Sequence, residues 1–319
     1  MTRLKVKVTE MAAQGASNIS IRLEPIYGQT LPGFEAGAHV DVFLANGLIR
    51  QYSIASAPFM DDHYELCVKL DSASRGGSRF VHEHLAVGDE LEISLPRNLF
   101  ALQPARHYIL IAAGIGITPL ISMAAELDRK QLSFSLHYYT RTLADVAFGE
   151  RLASYLGTSQ VHLHQSYAGR SPRQYLPEDL QRPSAEQLVY LCGPAEFMVH
   201  VEQSAKLSGW APERIIKEAF SPTAVIADVG ADTFEIELKS TGAVYTVHGE
   251  QSIARVLLDA GVDVPVSCEQ GMCGACLTGV LSGEPEHLDM VMTDEEHALN
   301  NRMTLCCSRS RSDRLVLDL

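Results

Sequence analysis

The sequence predicts three successive domains: an antiparallel β-barrel, an α/β domain with a parallel sheet, and a smaller α+β domain. Three observations support this prediction. The 319 residues exceed the length of one typical domain. Short alternating runs in the first third give way to apolar runs separated by helical stretches. Residues 230–319 hold 15 acidic and 6 basic side chains, a composition that sets this segment apart from the rest of the chain.

The first domain is assigned to residues 1–102. Its short runs alternate apolar and polar side chains and are broken by Gly and Pro, as in HVDVFL, HYELCVKL and ELEISL. Closely spaced strands with frequent turn signals are typical of an antiparallel barrel or sandwich. We adopt the barrel.

The second domain is assigned to residues 103–222. Apolar runs at Tyr108–Ala113, Phe134–Tyr139 and Leu188–Cys192 alternate with helical stretches, the pattern of a parallel sheet with crossover helices. The segment SPTAVIADVGAD that follows has no periodicity. It predicts a linker over residues 223–231 and a third domain over residues 232–319.

The charge balance and the N-terminus limit the location and partners of the protein. A formal net charge of −13 argues against nucleic acid or an anionic membrane as the main partner. MTRLKVKVTE has no apolar signal region, and the uncharged stretch Tyr108–Ala125 is interrupted by Gly114, Gly116 and Pro119. We therefore expect a soluble cytoplasmic protein.

Four cysteines have the spacing of an iron–sulfur site. CEQGMCGAC places Cys268, Cys273 and Cys276 in a Cys-x4-Cys-x2-Cys run, and Cys306 follows after 29 intervening residues. This run is typical of plant-type 2Fe-2S proteins. Gly271 and Gly274 allow the tight loop that brings backbone N–H groups towards the cluster.

Two alternatives accompany the cluster. A zinc site usually pairs one Cys-x2-Cys with a second Cys or His pair, and only one such pair is present here. Buried structural cysteines are the other alternative. Cys307 could replace Cys306 as the fourth ligand, although the gap favours Cys306. The twelve histidines show no spacing typical of metal ligands.

Two glycine turns predict a nucleotide crevice. AGIGITP follows an apolar strand and opens a helix, where free N–H groups can face a pyrophosphate. By itself this turn is a weak signal, because it lacks the full G-x-G-x-x-G pattern. Leu191–Pro194 ends a later strand with a second glycine, and two such turns at the carboxyl ends of parallel strands form one crevice.

Two further motifs in the first domain contain residue types that can bind a phosphate and a planar ring. Arg50-Gln51-Tyr52-Ser53 ends a strand, and alternation places Arg50 and Tyr52 on one face and Ser53 on the other. Arg75-Gly76-Gly77-Ser78 precedes a helical stretch at Arg79–Leu85. Either motif alone would be read as an ordinary strand end or helix start.

In combination, these motifs resemble the ferredoxin–NADP reductase superfamily. Residues 230–319, with FEIELKS, YTVHG, a helix at Ile253–Ala260 and the cysteine loop, resemble a plant-type ferredoxin domain of the β-grasp type. This C-terminal fusion resembles the phthalate dioxygenase reductase family over essentially the whole chain. One departure is Ala113, where many relatives have Gly.

The resemblance implies an enzyme that takes a hydride from NADH to FMN. It then passes single electrons through a 2Fe-2S cluster to a terminal Rieske-type oxygenase acting on an aromatic compound or a quaternary amine. It implies catalytic roles for Tyr52, Ser53 and Cys192, and metal ligands at Cys268, Cys273, Cys276 and Cys306. The residues implied to bind FMN or NADH are Arg50, Tyr52, Ser53, Lys69, Gly76, Gly77, Ser78, Gly114, Gly116, Thr118, Pro119, Arg141, Cys192, Gly193 and Phe220.

Two other functions compete with this interpretation. One is a reductase for a diiron hydroxylase or a free electron carrier, but in those systems the ferredoxin domain often precedes the flavin domain. The other is a redox-sensing interaction protein, which would need no hydride path. Neither NADH over NADPH nor FMN over FAD follows from the residues alone.

Overall fold

The computed structural model describes residues 3–26, 30–71, 76–154, 160–220, 233–249, 251–266, 269, 271, 274–289 and 291–319. The chain divides into two compact units, Met1–Phe220 and Ser221–Leu319. The predicted linker at 223–231 lies outside the described residues. Each unit is built around its own apolar core.

Six antiparallel strands form the barrel of the first unit: β1 (Arg3–Ala13), β2 (Asn18–Pro25), β3 (His39–Phe43), β4 (Ile49–Ser53), β5 (Tyr64–Lys69) and β6 (Glu90–Ser94). Their order is β4-β3-β6-β1-β2-β5. A bridge between Ile54 and Leu66 joins the two edge strands and closes the sheet. Val6, Leu23 and Ile93 are fully buried inside it, as the alternating pattern predicts.

A short helix, α1 (Gly77–His84), follows β5. It begins two residues before the predicted Arg79, because Gly76 turns the chain with a φ of +90°. That conformation is accessible to glycine at little cost. Gly77 and Ser78 are therefore part of the first turn of the helix and do not precede it.

The second sheet of this unit is entirely parallel, with the order β11-β10-β7-β8-β9. Its strands are β7 (His107–Ala113), β8 (Ser133–Thr140), β9 (Val161–Gln165), β10 (Gln187–Cys192) and β11 (Ile215–Glu218), with helices α2 (Ile117–Arg129), α3 (Gly149–Ala153) and α4 (Ala195–Leu207). Leu110 belongs to one apolar cluster with α2, and Ile111 belongs to another with α4. The sheet is therefore buried on both faces.

Buried polar contacts fix the barrel to the parallel sheet. Ser122 Oγ on α2 donates to the Ser56 carbonyl at 2.8 Å. Arg151 on α3 donates to the Ala55 carbonyl at 2.7 Å and pairs with Glu65 of β5. Since these partners directly follow β4 or lie on β5, the end of β4 is held next to the parallel sheet.

The second unit has a mixed sheet of order β13-β12-β18-β14-β16. Its elements are β12 (Phe234–Leu238), β13 (Val244–Val247), α5 (Ile253–Asp259), β14 (Leu277–Ser282), β15 (Pro285–Glu286), α6 (Asp294–Ala298), β16 (Arg302–Thr304), β17 (Arg309–Ser310) and β18 (Arg314–Leu317). β12 and β18 are parallel, and the other pairs in the sheet are antiparallel. The predicted multidomain fold, with a barrel, a parallel sheet and an α+β unit, is confirmed.

The helices are short throughout the described part of the chain. The longest, α2 and α4, have 13 residues each. About 20 apolar residues are needed to cross a bilayer as a helix. Within the described residues, no helix meets the length and apolarity of a membrane span.

Candidate functional site

The start of α1 packs directly against Arg50 on β4. A methyl group on Gly77 would lie 2.4 Å from Arg50 Nε, so the absence of a side chain lets the helix approach the guanidinium. Ser78 Oγ accepts a hydrogen bond from Asp71 N at 3.2 Å. The structure thus brings Arg50, Gly76, Gly77 and Ser78 to one corner. A guanidinium and helix N–H groups in this arrangement fit a phosphate.

Tyr52 and Ser53, the last two residues of β4, point to opposite sides of the sheet. β4 pairs with β3 without a bulge, from Phe43 opposite Ile49 to His39 opposite Ser53. Tyr52 is partly buried against the barrel core. Burial raises the pKa of its phenol to about 12, against the opposing effect of Arg50, so the ring is neutral at physiological pH. Ser53 is buried on the other side.

The two glycine turns lie next to each other, because β7 and β10 are neighbours in the parallel sheet. A methyl group on Gly116 would lie 2.3 Å from the Cys192 carbonyl oxygen, and one on Gly193 would lie 2.8 Å from Phe197 Cδ1. Gly114 has a φ of +55°. Both turns therefore depend on glycine for this close approach, at the place where the sequence predicts a crevice.

The first turn of α2 lies directly after Gly114–Gly116, beside the predicted crevice. Thr118 is buried, and its hydroxyl donates to the Ile115 carbonyl at 3.1 Å. Pro119 is buried beside it. The Thr118 hydroxyl is hydrogen-bonded to the preceding loop, and the ring of Pro119 fixes its φ. This turn therefore holds the shape of Gly114–Gly116.

A carboxylate that the sequence analysis did not single out lies where the barrel meets the parallel sheet. Glu218 ends β11 and pairs with Cys192 on β10. Its Oε2 accepts a hydrogen bond from Ser53 Oγ at 3.4 Å, and its Oε1 lies 4.0 Å from His39 Nδ1. Ser53, Cys192 and Glu218 therefore lie together, although they are distant in sequence.

Burial dominates the electrostatics of this group. It raises the pKa of Glu218 to about 8, partly offset by the Ser53 hydrogen bond. It also raises the pKa of Cys192 well above that of a free thiol, and the neighbouring Glu218 adds to the shift. Cys192 is therefore a neutral thiol, and Glu218 changes its protonation state near physiological pH. The sequence offered one signal for Glu218, which lies two residues before Phe220, a residue implied to bind FMN or NADH.

Phe220, Arg141 and Lys69 are the remaining residues predicted to bind FMN or NADH. Phe220 packs, half-buried, against the apolar cluster that contains Cys192 and α2. Arg141 is exposed directly after β8, and its carbonyl accepts a hydrogen bond from Tyr167 N at 3.2 Å. This bond brings the 81% exposed Tyr167, which the sequence analysis also missed, next to Arg141. Lys69 is exposed at the end of β5.

Two of the four predicted cluster ligands belong to the described residues, whereas Cys268 and Cys273 lie outside them. Leu277, which follows Cys276, pairs with Thr304, close to Cys306. Gly271 N donates to Cys306 Sγ at 3.2 Å. Cys307 Sγ instead lies 3.1 Å from Thr304 Oγ1. A backbone N–H aimed at the Cys306 sulfur fits thiolate ligation of an iron–sulfur cluster at this position.

Comparison with known proteins identifies the same modules. A family model described as a 2Fe-2S iron–sulfur cluster binding domain matches residues 236–311. This range covers most of the second unit and contains all four predicted cysteine ligands.

Two curated relatives match nearly the whole chain. A vanillate O-demethylase oxidoreductase of Pseudomonas sp. strain HR199 is 43% identical over 319 residues, covering 99% of this chain and 100% of the relative. A vanillate O-demethylase oxidoreductase of Acinetobacter baylyi is 42% identical over 293 residues, covering 92% and 91%.

A solved structure is similar over the same length. It is described as phthalate dioxygenase reductase, a modular structure for electron transfer from pyridine nucleotides to a 2Fe-2S centre. It is 36% identical and covers 99% of this chain and 98% of its own, with a TM-score of 0.76. The barrel, the parallel sheet and the ferredoxin-like unit are therefore all present in a protein of known structure.

Proposed function

Because this chain belongs to the phthalate dioxygenase reductase family, we propose that it oxidises NADH and delivers the electrons singly to a separate oxygenase. In this proposal, residues 1–102 bind FMN, residues 103–222 bind NADH, and residues 232–319 hold the 2Fe-2S cluster. Bound FMN supplies the conversion between a two-electron donor and a one-electron acceptor. The observation that carries the proposal is the convergence of Ser53, Cys192 and Glu218 where the two sheets of the first unit meet.

The corner formed by Arg50, Gly76, Gly77 and Ser78 is proposed to bind the FMN phosphate. The close approach of Gly77 to Arg50 allows the guanidinium and the first N–H groups of α1 to face one anion. Tyr52 would pack on the flavin ring with its neutral phenol. Lys69, at the end of β5, is proposed to contribute positive charge near this site.

The crevice between the two glycine turns is proposed to bind NADH. Gly114 and Gly116 would let the pyrophosphate approach the start of α2, while Thr118 and Pro119 hold the shape of the turn. Cys192 and Gly193, at the end of the adjacent strand, would border the nicotinamide. Because burial keeps Cys192 a neutral thiol, it brings no charge next to the proposed nicotinamide site.

Ser53 and Glu218 are proposed to orient the reacting rings. Ser53 donates a hydrogen bond to Glu218, and its hydroxyl would also form a hydrogen bond with the flavin ring. Phe220, two residues beyond Glu218, would cover the flavin until nicotinamide displaces its ring. Arg141 and the exposed Tyr167 would contact the adenosine end of NADH through charge and stacking.

The cluster unit is proposed to take electrons from the flavin and release them to a Rieske-type oxygenase. The vanillate O-demethylase relatives favour an oxygenase that acts on an aromatic ether. Cys268, Cys273, Cys276 and Cys306 would be the ligands, and the Gly271 N–H would stabilise the charge on Cys306. The excess of acidic side chains in residues 230–319 suits a basic docking surface on the oxygenase.

An anaerobic absorbance titration of the cofactor-loaded protein with NADH tests this proposal. Full reduction of one flavin and one 2Fe-2S cluster requires about 1.5 NADH per chain, because the flavin takes two electrons and the cluster takes one. We expect both absorbance bands to bleach at that stoichiometry. Bleaching of the flavin band alone would contradict the cluster assignment. No bleaching with NADH or NADPH would overturn the reductase proposal.

A further inference from the structure

Three potential metal-ligating side chains lie together in the second unit, outside the cysteine loop. They are His287, which follows β15, Asp289 two residues later, and His297 on α6. One ligand atom from each residue lies within 4.8 Å of the others. The two imidazole rings are stacked, with centroids 4.5 Å apart and planes 12° from parallel. The side chain of Asp289 has no exposed surface.

The contacts of Asp289 leave one of its oxygens unsatisfied. Oδ2 accepts hydrogen bonds from Val291 N at 3.3 Å and Met292 N at 3.0 Å, and it lies 3.3 Å from His297 Nε2. Among the described residues, Oδ1 has no hydrogen-bond partner. No Lys or Arg in the described chain lies within ion-pair distance of this carboxylate, where only the two histidines are found. A buried carboxylate in this state requires a nearby positive charge.

The Nδ1 atom of His287 is the ring nitrogen nearest to Asp289 Oδ1. Its Nε2 bonds Asn300 Oδ1 at 3.1 Å, and an amide oxygen only accepts, so Nε2 carries the proton. The other ring nitrogen, Nδ1, faces Asp289 Oδ1. It lies 3.9 Å from Asp289 Oδ1, too far for a hydrogen bond, and has no partner within the described residues. Among the described residues, neither the Asp289 oxygen nor the His287 nitrogen has a hydrogen-bond partner, and a cation held between them would satisfy both.

We propose that His287, Asp289 and His297 bind a first-row divalent cation such as Zn²⁺. Two imidazole nitrogens and one carboxylate oxygen form a common zinc ligand set, with water as the fourth ligand. Ligand atoms at bond lengths of about 2.0–2.2 Å stand about 3.3 Å apart around a tetrahedral ion, so side-chain shifts of about 1 Å would close the site. The hydrogen bond between Asn300 Oδ1 and His287 Nε2 would fix the orientation of the metal-binding ring.

The site would join α6 to the segment after β15 and support the cysteine loop. A methyl group on Gly271, whose N–H faces Cys306, would lie 3.0 Å from the Asp289 Cα. The backbone of Gly271 therefore lies against the segment that carries the site. His297 is 22% exposed, which gives an ion access from solvent.

Zinc uptake by the untagged holoprotein tests this proposal. The protein is first dialysed against a chelator, then equilibrated with Zn²⁺ at micromolar concentrations, and its zinc, iron and flavin contents are measured together. We expect about one zinc per chain with iron and flavin unchanged. His297→Gln and His287→Gln should each weaken zinc binding by at least about tenfold. The matched control is His248→Gln, which changes an exposed histidine of the same unit.

Three outcomes would overturn the proposal. One is no zinc uptake by the wild-type holoprotein, which would leave a protonated imidazole as the counter-charge of Asp289. Another is uptake accompanied by an equal loss of iron, since zinc would then occupy the cysteine site. The third is equal zinc affinity in the wild type and both site variants. Because iron and flavin are counted in every sample, a misfolded variant is recognised and the remaining variant decides.

Discussion

Glu218 shows how tertiary contacts change the chemistry of one side chain. Its hydrogen bond from Ser53 and its strand pairing with Cys192 place the carboxyl between the two sheets of the first unit. Burial outweighs the hydrogen bond and raises its pKa from 4.5 to about 8. The folded protein therefore binds more protons than the unfolded chain between these two values.

The raised pKa of Glu218 predicts how stability depends on pH. The contribution of Glu218 to stability is fully present below its unfolded pKa and is lost as pH rises through the folded pKa of about 8. Glu218→Gln removes this titration. Between about pH 5 and pH 8, the wild type should lose about 1–3 kcal/mol relative to the variant, measured by urea unfolding of the flavin-loaded protein. Glu196→Gln, at a 91% exposed carboxyl, should follow the wild type. Parallel pH profiles for the wild type and Glu218→Gln would contradict this prediction.

Gly77 gives a second prediction at the scale of one residue. In Gly77→Ala, the new methyl group would lie 2.4 Å from Arg50 Nε and force the guanidinium away from the start of α1. We expect FMN to bind at least about tenfold more weakly, because a charge-assisted hydrogen bond to phosphate contributes about 1.5–3 kcal/mol. Flavin retention on dilution measures this. Gly33→Ala, where nothing lies within 4 Å of an added methyl group, is the control and should retain flavin normally.

Packing between secondary-structure elements brings the two glycine turns together. β7 and β10 pair in register, so Cys192 lies opposite Ala112 and the turns leave the sheet side by side. The backbone of Gly116 touches the Cys192 carbonyl because neither turn carries a side chain at the contact. Neighbouring parallel strands thus bring the two turns together, and glycine allows their backbones to touch.

Gly116→Ala should disrupt this contact between elements. The methyl group would lie 2.3 Å from a backbone oxygen, so α2 or the end of β10 must shift. We expect a loss of about 1–3 kcal/mol in stability, as in overpacked cores, and weaker NADH binding. Gly149→Ala is the matched control, since its nearest neighbour is 3.9 Å away. Thermal unfolding and NADH titration of both variants check this, and similar behaviour of the two would refute it.

At the scale of the whole molecule, charge is unevenly distributed between the two units. Residues 230–319 carry 15 acidic and 6 basic side chains, which accounts for most of the formal net charge of −13. Glu295 is exposed on α6. An acidic cluster unit should be steered towards a basic acceptor over distances comparable with the Debye length, about 10 Å at 0.1 M salt.

This charge distribution predicts two different salt dependences. Raising ionic strength should slow electron delivery to the partner oxygenase by about tenfold or more, while leaving NADH oxidation with a small neutral acceptor nearly unchanged. Glu295→Lys should slow delivery at low salt more than Glu213→Lys, which makes the same charge change on an exposed residue of the first unit. Steady-state rates with both acceptors measure this. Equal slowing of both reactions would exclude steering by the cluster unit.

The sequence determined the order and type of the three modules. Local periodicity predicted the barrel strands, the parallel strands and the helix at Ile253, because alternation and apolar runs record which side chains are buried. Cysteine spacing predicted the cluster loop, since all but one of its ligands lie within nine residues. Glycine positions predicted the turns, because they reflect the local backbone conformation.

The tertiary structure alone decided which distant groups meet. Ser53 and Glu218 are separated by 165 positions, and no local pattern links a strand-end serine to a carboxylate on another sheet. The pKa of Glu218 likewise depends on burial by the whole unit. His287 and His297 lack a metal-ligand spacing in the sequence and become neighbours only when α6 packs beside Asp289. Spacing along a chain records local geometry, whereas long-range contacts and burial exist only in the folded molecule.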